Sequence, residues 1–65
     1  MHMHDRKVTA EMAALIKLAR ALKYNYSVIA AYLVINQGRI ADVMKGRLFP
    51  DVAPRAYLPD DFPKA

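Results

Sequence analysis

Gln37 and Arg39 stand two residues apart with Gly38 between them, and Ala41 and Asp42 follow within about one helical turn. Gln and Arg side chains each offer a planar pair of hydrogen-bonding groups. These match two atoms on one purine edge, adenine for Gln and guanine for Arg. Gly38 and Ala41 would let base edges approach closely, and Ala41 can meet a thymine methyl. Asp42, three residues after Arg39, either orients its guanidinium or accepts from a cytosine amine. The bland alternative is a solvated helix face with an intrahelical Arg–Asp pair. Lys23, Tyr26, Ser27, Asn36, Lys45 and Arg47, with the hydroxyl of Tyr24, form a second set. Cations, hydroxyls and helix-start N–H groups of this kind hold phosphates, though surface lysine and arginine also serve plain solubility.

Other chemistries are poorly supplied. His2 and His4 alternate with Met1 and Met3, a pattern open to copper or nickel but better read as a leader. Asp60-Asp61 is the only carboxylate cluster and has no histidine near it in sequence. No triad, phosphate-cradling loop or metal-ligand spacing is visible, so neither catalysis nor a cofactor is expected. There is no cysteine, which removes disulfides, thiolate metal sites and cysteine nucleophiles together. At 65 residues, folding buries only about 60% of the unfolded chain's surface, too little for a deep enzyme cleft. No apolar run is long enough to span a membrane, the N-terminus has no apolar signal core, and a cytoplasmic, nucleoid-associated setting is expected.

The elements that must carry the candidate residues follow from spacing. Thr9 caps a helix whose stripe of Met12, Leu15, Ile16, Ala19 and Leu22 predicts residues 10–23 as helical. Ser27 reads as the cap of a short second helix ending near residues 34–35. Asn36 reads as the cap of a third, over 37–45, closed by Gly46. Ala30 is small where the last two helices should cross, and Ile29, Leu33, Ile35, Ile40 and Val43 face inward. Met12 and Met44 fill gaps in the core. The expected fold is all-α, a tri-helical helix-turn-helix with a Pro-rich extended C-terminal tail. Residues 1–8 form a flexible leader, 9–49 the helical domain and 50–65 the tail, which holds all four prolines. Residues 1–47 carry eight basic and three acidic side chains, against two and three beyond, so the charge belongs to the helical body.

Residues 26–46, above all Ile29-Ala30-Ala31 through Asn36-Gln37-Gly38-Arg39-Ile40, resemble the helix-turn-helix of small bacterial and phage DNA-binding regulators. The resemblance implies a sequence-specific double-stranded DNA-binding transcriptional regulator whose third helix enters the major groove. That family usually has Gly in the turn where this chain has Val34. A β-branched residue is costly at φ > 0, so the turn is expected to take another path or the helix pair to be reoriented.

One such unit reads few base pairs, so a homodimer on paired half-sites is expected. Ala10, Ala14, Leu18 and Ala21 on the outer face of the first helix are one candidate interface. Tyr57, Leu58 and Phe62 in the apolar tail are another, with folding back on the core or docking to a protein partner as the tail's alternative uses. The alternative function is a protein-interaction module on the same fold, binding RNA polymerase, another regulator or a host defence complex.

Overall fold

The computed structural model describes residues 6–64, and among them the regular structure consists of helices without strands. Helix α1 runs Ala10–Ala21, α2 Tyr26–Leu33 and α3 Gln37–Met44. The copper- or nickel-like residues Met1, His2, Met3 and His4 lie outside the described residues.

Each helix starts on a side-chain cap. Thr9 is extended, and its hydroxyl accepts from the Met12 N–H at 3.2 Å, with Glu11 in the positively polarised first turn. Asn25, rather than Ser27, caps α2. Its Oδ1 accepts from the Val28 N–H at 3.0 Å and from the Ser27 hydroxyl at 2.7 Å. Ser27 therefore lies inside the helix and supports the cap. Asn36 caps α3 as the sequence predicts, with Oδ1 accepting from the Gly38 N–H at 2.7 Å.

All three helices end in one way. A residue with positive φ follows the last turn, and the residue after it donates its N–H five positions back. Lys23 (φ 76°) is followed by Tyr24, whose N–H reaches the Ala19 carbonyl at 3.0 Å. Val34 (φ 57°) is followed by Ile35, whose N–H reaches Ala30 at 3.0 Å. Gly46 (φ 79°) is followed by Arg47, whose N–H reaches Asp42 at 2.8 Å. Two expectations are corrected here. Helix α1 stops at Ala21, not residue 23, and Leu22 leaves the core stripe to stand half exposed. Val34 does not avoid the left-handed region, since it occupies it at φ 57°, ψ 52°.

Ile16, Ile29, Ile40 and Val43 are completely enclosed, one or two from each helix, with Met12, Leu15, Ala19, Ala30, Leu33 and Ile35 around them. Met44, expected in the core, is instead 42% exposed at the last position of α3, whose buried residues are Ile40 and Val43. Both flanking segments join this core. Val8 is buried, and Arg6 ties residues 6–8 to the α2–α3 turn through its N–H on the Val34 carbonyl (3.2 Å) and its guanidinium on the Leu33 carbonyl (3.3 Å).

Among the described residues, the chain after α3 has no helix and folds back over α1 and α2. Lys17 donates to the carbonyls of Phe49 (2.8 Å) and Val52 (2.5 Å), and the Arg55 N–H to the Ala14 carbonyl (3.1 Å). Phe62 then enters the core, 5% exposed, edge-on to Tyr24 at 4.9 Å and tilted against Tyr32 at 4.8 Å. Beside it the Tyr32 hydroxyl donates to Asp61 at 2.6 Å. That bond, helped by desolvation and the carboxylate's charge, raises the Tyr32 pKa above its ordinary value.

Candidate nucleic-acid interface

The first turn of α3 is solvent-exposed: Asn36, Gln37, Gly38 and Arg39 are all open, and Ala41 and Asp42 are half-buried below them. The Asn36 side chain is engaged on the Gly38 N–H, and Gln37 stands exposed beside it. Gly38 has a structural reason as well as a docking one. A Cβ there would lie 3.1 Å from Asn36 Oδ1, crowding the cap.

Asp42 is held between two guanidiniums, Arg39 at 3.6 Å and Arg47 at 3.3 Å. Of its two anticipated uses, orienting Arg39 matches this geometry, and its carboxylate is already engaged on both oxygens. Both ion pairs are largely exposed, so their worth is positional more than energetic. Lys45 is exposed just past the helix.

Between α2 and α3 lies an open groove of about 560 Å³, lined by Ser27, Ala30, Ala31, Val34, Ile35, Asn36 and Gln37. It brings the exposed Ser27 hydroxyl and the starts of both helices to one surface. Lys23 and Tyr26 are not among the residues lining it. The Tyr26 ring lies under the Arg20 guanidinium, 4.9 Å away, and Arg20 also donates to the Tyr24 carbonyl at 2.6 Å. Tyr26 is thus part of the α1–α2 corner.

The candidate dimer surfaces divide. Ala10 and Ala21 are exposed and Leu18 half-buried, but the chain's own tail crosses the α1 face at Ala14. Phe62 is enclosed in the core and Leu58 packs against it, so neither forms a free surface. Tyr57 does, at 80% exposure.

Arg6 and Lys7 fall within the segment that sequence assigns to a leader. They border a cleft with Arg39, adding two cations beside α3. The signal available was the pair of bases immediately before Val8, an apolar residue one step ahead of the Thr9 cap.

No family model, curated protein or solved structure matches this chain. No helix of the described residues is long and apolar enough to cross a membrane, and they hold no cluster of three or more His, Asp or Glu arranged for a metal.

Proposed function

We infer that the chain is a sequence-specific double-stranded DNA-binding regulator of transcription. Its α2–turn–α3 unit acts as a helix-turn-helix, and α3 is the element that enters the major groove. The observation that carries this reading is the position of the tail. Its anchors are Ala14 and Lys17 on α1, Tyr24 in the α1–α2 turn and Tyr32 on α2, while the Gln37–Arg39 turn and the groove beside it stay open. Gln37 and Arg39 then serve as base readers, Gly38 and Ala41 as the low surface between them, and Asp42 as the group that aims Arg39. Ser27, Asn36, Lys45 and Arg47 flank that surface for phosphates, with Lys23 and Tyr26 more remote. Two copies on paired half-sites would supply the length of sequence that one unit lacks.

Selection from a random duplex pool at near-physiological salt tests the reading, and an enriched palindrome is the expected result. On the selected site, Arg39→Ala should relax base preference at one position, at a cost of about 1–3 kcal/mol. Lys45→Ala should weaken all sequences alike and lower the salt slope by about one. Equal losses on every sequence for both variants would refute this division of roles.

A protein-docking use of the same fold is favoured by the exposed apolar side chains of Val34 and Met44, 41% and 42% accessible. Binding to a partner with little dependence on ionic strength, and no duplex enrichment, would select it.

A further inference from the structure

We propose that the cleft between the N-terminal segment and the loop after α3 is a binding site for a small organic anion with an aromatic or acyl body. Arg6, Lys7 and Arg39 give it three cations, Val8, Leu48 and Phe49 give it an apolar wall, and no acidic side chain of the described residues lines it. Its volume of about 390 Å³ lies within the ordinary range for small-molecule sites. Cations around an apolar wall select a carboxylate or sulfonate carried on a hydrophobic group, because each part of such a ligand meets its complement.

Two further observations show that the cleft is held in shape. Phe49 sits at φ 49°, an unfavourable region for an aromatic residue, and Lys17 fixes it there by binding its carbonyl at 2.8 Å. Strain maintained by surrounding bonds is characteristic of ligand clamps and switch segments. On the opposite wall Arg6 donates one guanidinium N–H to the Leu33 carbonyl, which positions the group. Arg39 belongs to the cleft and to the exposed turn of α3 alike. An anion that draws its guanidinium inward removes it from the surface proposed to read DNA. That coupling rests on the DNA reading; the site itself does not.

The test is titration of the full-length 15N-labelled protein with 2-naphthoate, followed by amide shifts. Saturable binding with the largest shifts at Lys7, Val8, Arg39, Leu48 and Phe49 is expected. Neutral 2-naphthylmethanol and acetate, each lacking one half of the recognition, should bind about tenfold more weakly or worse. Lys7→Glu should weaken naphthoate binding about tenfold while leaving the remaining spectrum folded. Phe49→Ala should weaken it too, and Lys7→Glu decides the matter if Phe49→Ala unfolds.

Absence of saturation, shifts centred elsewhere, or equal binding of the neutral alcohol overturns the proposal. A saturating mixed-sequence 20-base-pair duplex should weaken naphthoate binding about fivefold, and unchanged affinity overturns the sharing of Arg39. A duplex that fails to bind at all sinks the DNA reading and leaves the cleft standing. A duplex that binds a protein blind to naphthoate does the reverse.

Discussion

Val34 bears the main backbone cost in the molecule's centre. Its left-handed conformation places the β-branched side chain against its own carbonyl, at about 1–2 kcal/mol. It persists because its neighbours fix it: the Ile35 N–H closes on Ala30, the Ile35 side chain is buried, and Arg6 binds the carbonyls of Leu33 and Val34. Val34→Gly should remove that cost, lose little from a side chain already 41% exposed, and raise stability by about 0.5–1 kcal/mol in urea denaturation. Tyr32 gives a pH-dependent counterpart. Its phenol ionises later in the folded chain than in the unfolded one, so the neutral, hydrogen-bonded form favours folding. That contribution is complete below about pH 10 and lost as pH rises through the raised folded value. In Tyr32→Phe the alkaline loss of stability should be shallower over that interval, as read by unfolding midpoints at successive pH values.

At the scale of elements, helix starts were more legible than helix ends. Thr9 and Asn36 announce themselves because a short polar side chain before an apolar run has one economical use, accepting from an orphan N–H. Sequence places the start of α2 two residues late because Asn25 and Ser27 are both good caps, and what ranks them is the Val28 N–H closing on Asn25 Oδ1, to which the Ser27 hydroxyl also donates. Asn25→Ala should therefore cost about 1 kcal/mol and Ser27→Ala clearly less, in the same denaturation assay. The ends differ. Gly46 was readable, since glycine advertises a left-handed position. Lys23 and Val34 do the same work with residues that carry no such mark, so α1 was read two residues too long. The candidate DNA-facing turn was legible from Gln37-Gly38-Arg39 in sequence, whereas the joining of Arg6 and Lys7 to Arg39 depends on chain segments more than thirty residues apart.

Across the whole molecule, a core this small relies on its flanks. Phe62 was recognisable as too apolar for a solvated tail, but its socket between Tyr24 and Tyr32 comes from two different segments and left no local periodicity to read. Phe62→Ala should cost about 3–5 kcal/mol, while Tyr57→Ala, at a side chain 80% exposed, should stay within about 0.5 kcal/mol. Urea midpoints for the two variants give the comparison directly. Similar losses from both would mean that the tail clings diffusely instead of through one ring.

The same socket has a consequence for assembly. A receptacle that accepts this aromatic plug from its own chain accepts it equally from a second copy, since every contact is reproduced. The segment joining body to plug begins at Gly46 and runs through the strained Phe49, so an exchanged pair would differ from the closed chain mainly in this hinge. Should ends be traded, concentration would be the control: dilute chains would close on themselves, and crowded ones would exchange without inventing any new surface.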